Sequence, residues 1–132
     1  MLGALGPKQA VDTLDFGSNE LLEEGAKHVA RAVRNLPALT SLVLDDNHFG
    51  PRGATELASA LAVNDTLQSL GFARNEIGPD GAKSLAEALK TNVALRHLDA
   101  SDNGVGKEGL DHIAKTLLSG HALDRWLRYR TT

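Results

Sequence analysis

Cysteine is absent from the 132-residue chain. That excludes a disulfide framework, thiolate metal sites and a cysteine nucleophile. Aromatic residues are scarce, at 4%. No apolar run approaches the ~18 residues needed to span a bilayer. The opening residues, Met1-Leu2-Gly3-Ala4-Leu5-Gly6-Pro7-Lys8, lack the charged start and long apolar stretch of a secretory signal. A net charge of -3 supplies no basic footprint for nucleic acid. These absences point to a single non-membrane domain with an expected intracellular, cytoplasmic location and no nucleic-acid or membrane partner.

What the sequence does contain is repetition. Cut at Val11, Leu39, Leu67 and Leu95, it falls into four gapless 28-residue units: 11–38, 39–66, 67–94 and 95–122. Leu14, Leu42, Leu70 and Leu98 form one column, and Phe16, Leu44, Phe72 and Ala100 another two residues later. Apolar residues two apart with polar ones between describe a short, half-buried strand. Asn19, Asn47, Asn75 and Asn103 then mark each strand's exit, where an amide can bond backbone groups as the chain turns inward. Stacked units would turn these four structural residues into a ladder of buried amides, each needing partners.

The second half of each unit reads as helix. Gly25, Gly53, Gly81 and Gly109 recur, and Gly50-Pro51 and Gly78-Pro79 place proline in a first helical turn. Val29-Ala30, Leu57-Ala58, Leu85-Ala86 and Ile113-Ala114 follow, with Val33, Leu61, Leu89 and Leu117 at i+4 from the first of each pair. That spacing marks one buried helix face. Lys27, Arg31, Glu56, Lys83, Glu87 and Lys115 fall between and should face solvent. A lone unit cannot bury its apolar face, so the units should stack. The stack is an α/β solenoid whose parallel sheet spans roughly 19 Å at about 4.8 Å per strand.

The pattern L-x-x-L-x-L-x-x-N followed by I-G-x-x-G-A resembles the ribonuclease-inhibitor-like class of leucine-rich repeats. Leu67 to Asn75 and Ile77 to Ala82 match it best. The resemblance covers 11–122. It implies a right-handed, horseshoe-shaped solenoid with the parallel sheet on its concave face and helices on its convex face. It also implies a non-enzymatic protein-binding module, usually in the cytosol. The sequence departs from the class at Leu22, where Gly is expected, and at Ala100 and Val11. The class's frequent cysteines are also missing.

The ends leave alternatives open. Met1, Ala4 and Leu5 fall in the columns of Leu57, Ala60 and Leu61. Residues 1–10 therefore read as a partial helix and return loop of a preceding repeat, either part of a longer array or a short N-terminal cap. Residues 123–132 read as a degenerate fifth strand or C-terminal cap. Leu123, Trp126 and Leu127 would fold over an edge that is otherwise an aggregation risk. Trp126 is read as part of this cover or as a binding anchor. Arg125, Arg128 and Arg130 are read as a solvated tail or an anionic contact. Uncovered ends would also permit oligomerisation.

Side chains between the strand leucines should face a partner. The candidates are Thr13, Asp15, Ser41, Val43, Asp45, Asp46, Ser69, Arg74, Arg96, His97, Asp99 and Asp102. Asp12, Gly17, Ser18, Thr40, Gln68, Gly71, Ala73 and Ser101 accompany them. Six of these twenty positions are Asp and two are Arg, so a basic protein surface is the expected partner. No aromatic anchor lies among them, which leaves a weakly binding, solvated wall as the alternative.

No catalytic residue, cofactor site or metal site is expected. His28 and His112 share a column but lie three units apart, about 14 Å at sheet spacing. H-E-x-x-H, the twelve-residue calcium loop, the phosphate loop and G-x-S-x-G are all missing from the sequence. Asp45-Asp46-Asn47 with Asp15 is explained by the repeat. Three readings result: an adaptor or sensor repeat domain, a contact inhibitor or GTPase-regulating repeat protein, and an excised or engineered repeat scaffold without a native partner.

Overall fold

The computed structural model describes residues 11–118. The readings placed on 1–10, on Leu123, Trp126 and Leu127, on the three tail arginines and on the closure of the fourth unit at Ala122 lie outside the described residues. So does the reading of the Leu117 side chain.

Four short strands alternate with four helices: β1 Thr13–Asp15, α1 Leu22–Asn35, β2 Ser41–Val43, α2 Gly50–Val63, β3 Ser69–Gly71, α3 Gly78–Thr91, β4 His97–Asp99 and α4 Gly106–Leu118. The strands form one parallel sheet in the order β1-β2-β3-β4. Its register repeats the 28-residue interval: Leu14 pairs with Leu42, Leu42 with Leu70 and Leu70 with Leu98. Each strand-to-strand crossover therefore carries one helix, the arrangement that parallel strands require. Strands stack about 4.8 Å apart, whereas packed helices need about 8–10 Å. The stack accordingly bends with the sheet inside and the helices outside.

The core lies between the two layers. Leu39, Leu67 and Leu95 are fully buried, as are Leu44, Phe72 and Ala100 one residue past their strands. Helical Val33, Leu61 and Leu89 close it from the other side. Phe49 and Phe72 stack in its middle with ring centroids 5.5 Å apart. Gly81 admits this packing: a Cβ there would lie 2.5 Å from Ile77 Cβ and 3.1 Å from Ala54 Cβ. Of the charged residues expected on the outer surface, Glu56 is half-buried and Lys27, Arg31, Lys83, Glu87 and Lys115 are exposed.

Between strand exit and helix start the backbone visits the left-handed region at alternate residues: Asp46, His48 and Gly50 in the second unit, Arg74, Glu76 and Gly78 in the third. The third such position of the first unit is Leu22, at φ 60° and 52% exposed. A non-glycine residue there carries about 1–2 kcal/mol of steric cost. Part of that is offset by glycine's greater freedom in the unfolded chain. Leu22→Gly is therefore expected to raise the unfolding free energy by about 1 kcal/mol in denaturant titration. A loss of stability would contradict the strain reading.

Candidate functional site

Strand residues 13 and 15, and their equivalents in the later units, form the inner surface. Thr13, Asp15, Arg74, Arg96, His97 and Asp102 are exposed there, and Ser41, Val43, Asp45, Asp46, Ser69 and Asp99 are half-buried. The sheet brings these residues together on one wall. Two accompanying positions are corrected: Ala73 and Ser101 are each only 1% exposed. They share a column with the half-buried Asp45, and Ser101 Oγ donates to Asp99 on the wall, so these small side chains are covered by their neighbours there.

The aspartates differ in their engagement. Ala73 N–H donates to Asp45 Oδ1 at 2.8 Å, across adjacent units. Gly17 N–H donates to Asp15 Oδ1 at 2.9 Å. Ser101 donates to Asp99 Oδ1 twice, from N–H at 3.0 Å and from Oγ at 2.6 Å. Ser18 Oγ donates to Asp46 Oδ2 at 3.3 Å. Three of these carboxylates therefore hold backbone at the strand exit as well as facing outward. The four ion pairs seen among the described residues are His48–Glu76, Arg52–Glu23, Lys90–Glu87 and Lys115–Asp111. Asp12, Asp15, Asp45 and Asp46 take part in none of them. At the sheet's centre Gly71 makes room for the Asp45 carboxylate: a Cβ there would sit 3.1 Å from Asp45 Oδ1 and 3.5 Å from Val43 Cγ1.

The asparagines set the wall's spacing. The N–H groups of Asn19, Asn47 and Asn75 donate to Oδ1 of Asn47, Asn75 and Asn103 at 3.0, 2.8 and 2.7 Å. Each Nδ2 of the last three reaches back to the preceding unit, at Phe16 O, Leu44 O and Phe72 O. Leu21 N–H also points at Asn47 Oδ1, 3.3 Å away. Amides two residues apart converge because the intervening Glu20 is left-handed, which forms an anion-binding type of concavity filled here by a carbonyl.

Two features escaped the sequence reading. Asn64 and Asn92 form a second ladder in the return loops. Their Nδ2 groups donate to Val33 O and Leu61 O, and their Oδ1 atoms accept from Leu67 N–H and Leu95 N–H. The recurrence of Asn 28 residues apart, three before a core leucine, was the available signal. The second feature is the column of Glu20, His48 and Glu76 along the rim of the wall. His48 Nδ1 pairs with Glu76 Oε1. That hydrogen bond, with weaker help from the charges of Glu76, Asp46 and Glu20, lifts the imidazole above its usual pKa despite an opposing desolvation effect. The folded pKa is the higher one, so the contribution to stability is full below pH 6.5 and fades as pH rises through the lifted value. Ring-proton NMR titration should place the His48 midpoint above 6.5, and Glu76→Gln should lower it. A midpoint unmoved by E76Q would refute the pairing.

Among the described residues no three His, Asp or Glu side chains converge as a metal would require. No described helix is long and apolar enough to cross a membrane.

No curated protein sequence gives a significant match to this chain. Solved structures do match. One is "Leiomodin-1 Actin-Binding Site 2 (ABS2)", with a TM-score of 0.80 and 19% identity over 98% of this chain and 75% of the other. At that identity the likeness shows the fold. The family model described as leucine-rich repeat matches residues 35–58, 63–86 and 91–114, windows spaced by the same 28 residues. The first unit, with Leu22 in the glycine column, lies largely outside them. Three windows in register cover more than half of the sequence, and the chain belongs to the leucine-rich-repeat family.

Proposed function

We propose that the chain is a non-catalytic adaptor or sensor module whose concave sheet wall docks a protein of basic surface. One observation carries this reading: Asp12, Asp15, Asp45 and Asp46 cluster on that wall with no cation paired to them among the described residues. Glu20 extends the acidic strip along the rim. A potential of one sign over a concave surface raises encounter rates with the opposite charge, and salt shortens its reach to about 8 Å at physiological ionic strength. The residues quoted for the ribonuclease-inhibitor-like class and the 28-residue period favour that class within the family. A cytoplasmic location is part of the same reading.

Lysine replacements at Asp45 or Asp99 would also remove backbone acceptors, so asparagine is the cleaner change, because its carbonyl keeps the bond while the charge goes. Partner capture from extract is expected to fall at least tenfold for the combined Asp12→Asn, Asp15→Asn, Asp45→Asn and Asp46→Asn variant. It should also fall for wild type at high salt. The helix-face control Glu56→Gln with Glu87→Gln should capture normally. A partner kept by the sheet-face variant and lost by the control would overturn the proposal. The structural neighbour from leiomodin-1 is an actin-binding site, so actin is the first purified protein to test, by cosedimentation.

A further inference from the structure

The charges on the concave wall are not spread evenly along the stack. The first two units give it Asp12, Asp15, Asp45 and Asp46 and no basic residue. The last two give it Arg74 and Arg96 against Asp99 and Asp102. The same polarity appears at both ends of the strands. At one end, backbone bonds link Asp12, Thr40, Gln68 and Arg96 into a row across the four units. Thr40 N–H donates to Asp12 O, Gln68 N–H to Thr40 O and Arg96 N–H to Gln68 O, each at 2.8 Å. That row begins with a carboxylate, ends with a guanidinium and holds no charged side chain between. At the other end, Asp46 and Arg74 occupy the same position of adjacent units, 28 residues apart. They close no ion pair with each other: Asp46 accepts from Ser18 Oγ of the preceding unit. Arg74 and Arg96 are both exposed and belong to none of the ion pairs among the described residues.

We infer that the docked segment is itself dipolar and crosses the strands, with lysine or arginine side chains over the first two units and acidic ones over Arg74 and Arg96. This rests on the concave wall being the docking face, and it sharpens what that face takes. Positions two units apart lie about 10 Å from each other at sheet spacing. That exceeds the screening length of about 8 Å, so a docked charge responds to the group beneath it more than to the net charge of the wall. An extended chain covers the same span in about three residues, at roughly 3.3 Å each. A purely basic segment long enough to cross the sheet would set cations over the two arginines, where like charges repel. The arginines therefore select among basic partners.

Two fluorescent peptides separate net charge from charge order. One carries three lysines, two glycines and three aspartates; in the other, asparagines replace the aspartates. The chain has a net charge of -3, so net charge alone favours the second peptide. Fluorescence anisotropy at low ionic strength is expected to show the first bound at least threefold more tightly. Arg74→Gln with Arg96→Gln should abolish that preference, and Arg52→Gln on the helix face should keep it. Equal or tighter binding of the asparagine peptide by the wild-type chain would overturn the inference and leave the basic-partner reading standing. So would a preference that survives the double variant or vanishes with Arg52→Gln. Binding of neither peptide would overturn both.

Discussion

Leu70→Ala is expected to lower the unfolding free energy by about 3 kcal/mol, within the range for a leucine truncated in a packed core. Leu70 is 1% exposed and lies between Leu42 and Leu98 in the sheet register. The hole therefore weakens two inter-unit interfaces, and in a stacked array those interfaces supply much of the stability. Thermal unfolding should show a midpoint lower by roughly 10 °C. Leu14, the equivalent residue in β1, is half-buried and, among the described residues, pairs on one side only. Leu14→Ala is expected to cost less than half as much. Equal losses at the two positions would mean that the units are not coupled as stacked coils.

Asn75→Ala is expected to cost about 3 kcal/mol, near the upper end for a stranded buried group. Three backbone groups lose a bond, but they are not equally exposed to the loss. Leu44 O keeps Asn47 Nδ2, and Ala73 O keeps Asp46 N–H. Asn47 N–H is the group left unpaired, at a position with no accessible surface. Asn75→Asp preserves the acceptor for that N–H but turns a carboxylate toward two carbonyl oxygens. It should destabilise as much as alanine at neutral pH. Relative to the alanine variant it should recover in mild acid, because burial raises the carboxyl pKa and a protonated acid can donate to Leu44 O. Asn19, exposed at the end of the ladder, should lose less than about 1 kcal/mol on truncation. Chemical denaturation of the three variants at two pH values measures all of these.

These two residues show how far the sequence could be read. The column of Leu70 was legible because an apolar residue two positions before another, repeated in every unit, has one economical explanation in a half-buried strand. The column of Asn75 was legible because an invariant amide at a strand exit must find buried partners. Asn64 and Asn92 were not picked out, since they recur in two units only, at Leu36 and Gly120 the column changes, and their loop carries no hydrophobic rhythm. The alternation that puts Ala73 and Ser101 beside the wall residues could not tell that side chains this small are covered by their neighbours. The wall's charge was legible, but not the double duty of Asp45, Asp15 and Asp99 as backbone acceptors.

From sequence alone follow the length of the unit, the number of coils, the identity of the inward columns and the layer that each half of the unit builds. Parallel stacking brings equal positions into contact, so the chemistry of one coil has to recur in the next and leaves a period in the chain. Tertiary structure alone decided the left-handed strain at Leu22, the pairing of His48 with Glu76 and which aspartates, among the described residues, hold backbone N–H groups. These depend on where the backbone turns and where a neighbouring unit aims its N–H groups. Each occurs in one or two coils only, so it leaves no full column in the order of residues.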